Sequence, residues 1–319
     1  MNTSVLPFLA SRLLRTIVTL WLGVTLIFFA IRVIPGDTAE AVLGHQSTRE
    51  GLATLRRQMG LDQSLWTQYL KLLGNLLQGD LGLSMVIGQP ISTMIWQVAP
   101  FTAMVVIGAL LIGAGIGIPL GIAAATRRNS LIDYLARVLS LTGLVIPGFV
   151  IGILLMIPFS VWLGWFPVVG GGERGDLMSL IKFAVLPSVA GGIGMAAYLT
   201  RLTRSVVLEL LREDFVRTAR AKGLSERFIL YKHVLRNALI PIVTFLGFYA
   251  IIMIGDSIAI EIVFSRPGFG RLILGGIAQR DYVLLQSVLL IYVLLAILIN
   301  FAVDVLYTVI DPRVRITEF

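Results

Sequence analysis

Ionisable side chains are scarce within the long apolar runs of this sequence, so the few that occur there are the first candidates for chemistry. Asp256 stands out: residues 238–255 carry no charge, and the next acid, Glu261, follows five positions later. A carboxylate inside an apolar helix is costly and usually faces an internal cavity or a partner group. Two readings of Asp256 remain open. In one it meets a cationic group moving through the protein, or a residue that gates such a path, with Glu261 on the same route. In the other the helix ends early and Asp256 sits near an interface, paired with Arg266. Other chemistry is excluded outright. The chain has no cysteine and only two histidines, His45 and His233, which rules out thiolate nucleophiles, disulfides and multi-histidine metal sites. No G-x-x-x-x-G-K-[ST] loop occurs, and the dipeptide Gly-Lys is absent, so the chain does not hydrolyse ATP by that route.

The elements that position these residues follow from composition. Of 319 residues, 57% are hydrophobic and 14% charged, and the mean hydropathy is +0.90; a soluble domain carries roughly 25% charged residues. No Asp, Glu, Lys or Arg lies between Asp80 and Arg127, between Arg137 and Glu173, or between Asp281 and Asp304. A bilayer crossing needs about 20 apolar residues, so the chain is an all-α, polytopic membrane protein. Six spans can be drawn: 13–33, 100–125, 135–162, 183–201, 241–263 and 282–309. The first ends at the breaker Ile34-Pro35-Gly36-Asp37, Pro241 suits the first turn of the fifth, and Asp311-Pro312 closes the sixth. Pro119, Pro147 and Pro158 are expected to kink their helices. Gly113, Gly117 and Gly121 form a small-residue stripe along span two, either ordinary close packing or part of a bundle built to open.

Basic residues set the expected orientation. The connections after spans two and four hold twelve Lys and Arg, against five after spans three and five. That bias puts both termini and the even connections in the cytoplasm, in the cell's inner membrane. The net charge of +8 has the same origin and does not call for nucleic acid. Residues 1–98 form a first span plus a long external segment, and 99–312 form a five-span core. Two short amphipathic helices are expected in the external segment, one with Leu52, Leu55 and Met59 on its face, the other with Trp66, Leu70 and Leu73.

The connection 208–241 is the most distinctive stretch. Leu208, Leu211, Phe215 and Ala219 share a helical stripe, Gly223 sits where a left-handed helix end is wanted, and Ser225 can cap a second short helix with Leu224, Phe228, Tyr231 and Leu235 on its face. On the residues alone, this basic, amphipathic pair rests either on anionic lipid or against a soluble partner.

Arg217-Thr218-Ala219-Arg220-Ala221-Lys222-Gly223-Leu224, followed by His233-Val234-Leu235-Arg236-Asn237-Ala238-Leu239-Ile240-Pro241, resembles the cytoplasmic "EAA" loop of ABC importer permeases of the oligopeptide/dipeptide/nickel class. Met59-Gly60-Leu61-Asp62-Gln63, Gly79-Asp80-Leu81-Gly82, Glu261-Ile262-Val263-Phe264, Pro267-Gly268-Phe269-Gly270-Arg271, Arg280-Asp281-Tyr282 and Asp311-Pro312-Arg313 agree with it. The resemblance is to the first of two related permease subunits. It implies a type I importer permease fold, a second homologous permease, two ATPases that bind ATP and magnesium, and an external binding protein; this chain itself would carry no cofactor or catalytic residue. It assigns ATPase coupling to Asp214, Arg217, Thr218, Ala219, Lys222, Gly223 and Leu224. An acidic residue at Asp256 departs from the family pattern. Peptides lead as the solute, ahead of nickel or its chelates, opines, glutathione and short sugars.

The principal rival is an ion-coupled secondary transporter using Asp256 as its intramembrane carboxylate, but no inverted repeat accompanies it. An intramembrane hydrolase needs a base in reach, and both histidines fall outside the spans, on opposite sides.

Overall fold

The computed structural model describes residues 5–33, 38–43 and 48–310. The breaker at 34–37, His45 and the Asp311-Pro312-Arg313 motif lie outside the described residues. Among those described, the regular structure is helical, apart from one isolated backbone bridge between Leu83 and Pro90. Helices long and apolar enough to cross a membrane are α1 (Val5–Val33), α5 (Ile91–Thr126), α8 (Leu177–Leu210), α11 (Leu235–Val263) with its N-terminal extension, and α13 (Tyr282–Ile310). A sixth crossing is possible only if α6 (Leu131–Val145) and α7 (Gly148–Met156) count as one, because they bend by 101° at Ile146-Pro147. The third span is therefore a broken pair rather than a kinked rod. Pro147 cannot continue the α6 ladder, and it serves instead as the residue that opens α7. A π turn, Ile157–Trp162, follows with Pro158 in its first turn. Pro119 lies inside α5, which continues past it to Thr126.

The chain forms two compact units. The first comprises residues 1–100 and 268–297 and includes three short helices, α2 (Thr38–Leu43), α3 (Arg49–Gln58) and α4 (Leu65–Leu77). Thr48 and Ser64 start α3 and α4 by accepting from the backbone N–H groups of Gly51 and Thr67. The face that α4 buries is not the one its apolar stripe suggests. Tyr69 is buried, its ring 5.2 Å from Phe28 and its hydroxyl 2.7 Å from that of Thr25, while Trp66 and Leu70 are exposed. Arg32 stacks on Phe28 and donates to Gln68 and Gln286 at 3.0 and 3.2 Å. Helix α12 (Phe269–Gln279), in the connection between the fifth and sixth predicted spans, packs Phe269 into a core with Ile91, Met94, Ile95, Leu284 and Val288. Asp281 accepts from the Ser84 hydroxyl at 2.6 Å and from the Leu284 N–H at 3.1 Å, fixing the 81–90 turn against the start of α13.

The second unit comprises residues 101–267 and 298–319. Helix α8 runs through its middle, against α6, α7 and α11, and the reason is the size of the side chains at the seams. A Cβ at Gly113 would lie 2.7 Å from Met195, and one at Gly117 2.6 Å from Leu199; one at Gly121 would meet Thr203 at 2.6 Å. The glycine stripe is thus the α5–α8 seam, where backbones approach closely enough for dispersion to replace the missing hydrophobic drive. The second short helix expected after Ser225 is not separate. Glu226–Phe228 (α10) passes through a π turn, Ile229–Val234, into α11, so that Pro241 lies inside a continuous element running from Glu226 to Val263.

Candidate functional site

Helix α9 (Asp214–Ala221) follows α8 after a three-residue turn. It inserts Val216 and Ala219 into the unit and leaves Asp214, Arg217, Thr218, Arg220 and Lys222 on the surface. Its buried face is narrower than the predicted stripe, and Phe215 is only half-buried. The polar face is internally ordered: Arg217 pairs with Asp214, and the Thr218 hydroxyl donates to the Asp214 carbonyl at 2.9 Å.

The end of α9 has a defined cap. Gly223 adopts φ +78°, its N–H donates to the Arg220 carbonyl at 2.9 Å, and the Leu224 N–H donates to the Ala219 carbonyl at 3.2 Å. These two bonds form a Schellman motif, which needs a left-handed residue at this position. The Ser225 hydroxyl accepts from the Phe228 N–H, opening the next helix. Arg220 then bridges the turn, donating to both Glu226 carboxylate oxygens at 2.6 and 3.1 Å; that carboxylate holds the guanidinium charged more firmly than usual. Leu224, Phe228 and Tyr231 are exposed beside this polar face, whereas Ile229, Val234 and Ala238 take the buried positions. His233 packs edge-on to Phe228, with Lys232 over the same ring.

The two pathway candidates occupy different environments on α11. Asp256 is exposed, and no ion pair to it, from Arg266 or any other cation, occurs among the described residues. Two turns earlier on the same face is Tyr249, which forms an aromatic cluster with Phe245 and Tyr198 of α8, ring centroids 5.7–6.0 Å apart. Glu261 is fully buried and accepts from the Thr102 hydroxyl at 2.5 Å. Arg266, also fully buried, lies 5.4 Å above the Phe101 ring, and its backbone N–H donates to the Glu261 carbonyl at 2.8 Å. Burial lowers the Arg266 guanidinium to about 10, and the negative charge of Glu261 opposes that shift. The structure does not bring Asp256 and Glu261 together with α9: both lie toward the opposite end of α11.

One charged group escaped the sequence reading. Asp133, buried on α6, accepts from Arg204 of α8 at 2.5 and 3.0 Å and lies 3.5 Å from Arg137. Two arginines near the ends of predicted spans, with a carboxylate three residues after the capping Ser130, were the available signal. Among the described residues no three His, Cys, Asp or Glu side chains are grouped for a metal.

A multi-pass helical chain with a short capped helix between α8 and α11 defines the class, a type I ABC importer permease. The profile described as "Binding-protein-dependent transport system inner membrane component" matches residues 117–316, and its N-terminal companion matches residues 5–104. The chain belongs to this family. It is 40% identical over 310 residues to the "Glutathione transport system permease protein GsiC" of Salmonella paratyphi A, covering 97% of this chain and 99% of that one. The protein of the same name from Escherichia coli strain K12 is 39% identical over the same length. Among solved structures, an inward-facing form of the MetNI methionine ABC transporter shares the fold, with TM-score 0.54 and 22% identity over 68% of this chain and 97% of that one. The chain is thus a multi-pass inner-membrane permease subunit of an ATP-driven importer, a translocation component; family membership supports this reading and not the ion-coupled alternative.

Proposed function

We propose that this permease imports short peptides, glutathione among them, delivered to its outer face by an external binding protein. The observation that carries the solute class is similarity to glutathione permeases along almost the entire length of both chains. A second, homologous permease completes the pathway, and two ATPases dock underneath, binding ATP and magnesium. Helix α9, with Asp214, Arg217, Thr218, Ala219, Lys222, Gly223 and Leu224, fills a cleft in one ATPase. Its ordered polar face beside exposed Leu224, Phe228 and Tyr231 suits such a docking element. Both termini and α9 then face the cytoplasm, in line with the distribution of basic residues. Asp256 lies on the pathway, and Glu261 supports the region from inside.

The test is uptake in cells lacking this chain and complemented with it, using labelled glutathione, di- and tripeptides, nickel, opines and short sugars, with the cognate binding protein present. Restored uptake of glutathione or peptides is expected. Restoration of nickel or sugar uptake with no peptide uptake would overturn the solute assignment.

A further inference from the structure

The ion cluster at Asp133 takes no part in the docking, pathway or solute assignments, yet its carboxylate is fully enclosed. Both carboxylate oxygens are engaged: Arg204 of α8 donates to them at 2.5 and 3.0 Å, and the Asn129 N–H adds a third bond at 3.0 Å. Arg137 lies 3.5 Å away. Asp133 therefore joins the α5–α6 turn, the start of α6 and the last two turns of α8 at one point. Such a pair is a poor stabiliser. Removing both charges from water costs about what their attraction returns, and apolar residues of similar volume often serve as well. What it supplies is direction: an Arg–carboxylate fork accepts one geometry, whereas an apolar seam in lipid tolerates many.

The rest of the α6–α8 seam is loose enough for direction to matter. The buried positions of α6 are Asp133, Ala136 and Ser140. One turn further on is Gly143, where a Cβ would lie 2.8 Å from that of Ala197. Between the ion pair and this close contact is a cavity of about 250 Å³ beside Ala136, Ser140, Leu141 and Thr200. Ser140 and Thr200 donate to carbonyls of their own helices, Ala136 and Ala196, at 2.6 and 2.7 Å. Among the described residues, the two bonds from Arg204 to Asp133 are the only side-chain hydrogen bonds joining α6 to α8. The register of α6 also has consequences beyond the seam. Through the bend at Pro147 it sets where α7 lies, and a Cβ at Gly152 of α7 would meet Phe264, just past the end of α11, at 2.9 Å.

We propose that Asp133 and Arg204 are positioning residues for transport: their ion pair locks α6 in one register on α8, so that a displacement of α9 moves α6 and α7 together with α8. The proposal rests on α9 being the docking element. Arg204 lies ten residues before Asp214, where α9 begins, so the lock sits at the base of the lever that α9 would move. Without it, α8 would shift against a cavity and α6 would lag behind.

The experiment uses the assembled transporter, reconstituted in liposomes with its partner subunits and binding protein and supplied with labelled glutathione. The readout is solute imported per ATP hydrolysed, which a smaller amount of folded complex does not move, alongside the melting temperature. The variant D133L/R204M replaces both charges by apolar side chains and leaves neither unpaired. We expect its melting temperature to stay near wild type and ATP hydrolysis to continue, while solute per ATP falls roughly tenfold. That is the lower end of the bias that charge-assisted hydrogen bonds give one arrangement over another. R204K keeps the charge but loses the fork, and its ratio should fall roughly threefold. An unchanged ratio in D133L/R204M, at any melting temperature, makes the pair purely structural and overturns the proposal. If that variant does not assemble, R204K carries the test, and a wild-type ratio there overturns it. Gly223→Val is measured in parallel. A defect in Gly223→Val with none in D133L/R204M removes the lock alone, whereas normal transport by Gly223→Val removes the docking reading and the lock with it.

Discussion

Two glycines in this chain are matched closely enough to isolate what the cap of α9 does. Gly223 ends α9 at φ +78° and Gly79 ends α4 at φ +74°. Both complete the same motif: Gly79 donates to the Leu76 carbonyl and Asp80 to the Asn75 carbonyl, as Gly223 and Leu224 do to Arg220 and Ala219. A Cβ added at either position meets nothing within 4 Å, so substitution costs only backbone strain. For alanine in a left-handed conformation that is about 1–2 kcal/mol, and 1.4 kcal/mol is a factor of ten. The ratio of capped to uncapped conformers should therefore fall roughly 5- to 30-fold at whichever cap is changed. If α9 must be capped to engage an ATPase, Gly223→Ala should depress uptake and solute-stimulated ATPase activity, and Gly223→Val should abolish them. Gly79→Ala should leave both near wild type at equal membrane abundance. The assay is uptake and ATPase rate in reconstituted complexes, normalised to chain content. Equal defects from both glycines would mean general destabilisation, and normal transport by Gly223→Val would refute the docking role of α9.

The exposed carboxylate on α11 gives a sharper test of the pathway. Asp256→Asn should raise the KM for peptides with a free amino group by roughly 10-fold or more, the loss of a charge-assisted hydrogen bond, with basal ATPase activity unchanged; an unaltered KM would place Asp256 outside the path. Orientation is testable because the chain has no native cysteine. Cysteine at Glu173, an exposed position, should react with an impermeant thiol reagent from outside, and cysteine at Lys222 only after the membrane is opened; labelling of Lys222→Cys in intact spheroplasts would invert the topology.

The long apolar runs made the membrane helices readable, and the spacing around Gly223 announced a helix end that the backbone bears out. The faces those helices bury were harder. Periodicity reveals an apolar stripe by contrast with water, but in lipid an apolar side chain is at ease on either side. On α4 the stripe through Trp66 and Leu70 stays exposed, because Phe28 and Thr25 of α1 offer Tyr69 both a ring and a hydroxyl partner. The 101° bend at Pro147 was out of reach for a related reason: proline marks where a ladder breaks, while the direction taken afterwards is set by how α7 packs on α8. Helix α12 was hidden because its glycines, Gly270, Gly275 and Gly276, lower its propensity. Gly276 is tolerated there because a Cβ would lie 2.9 Å from Leu285.

If α9 is the docking element, its attachments determine what a movement there can do. At one end it leaves α8 through Leu211–Glu213, and α8 carries Tyr198. At the other, the Schellman cap and the Arg220–Glu226 bridge tie it to an element that is helical from Glu226 to Val263. Asp256 lies thirty residues along that element, about 45 Å at 1.5 Å per residue. Helices α8 and α11 are packed against each other along this course, with Tyr249 near Gly194 and Tyr198 near Tyr249. A tight seam of this kind resists sliding, since its side chains have few alternative arrangements. A push on α9 is therefore carried as a tilt of the α8–α11 pair, and the Tyr198–Tyr249 cluster and Asp256 move together rather than one past the other. No chain of side-chain relays is required, because two continuous helices already connect the docking element to the exposed carboxylate.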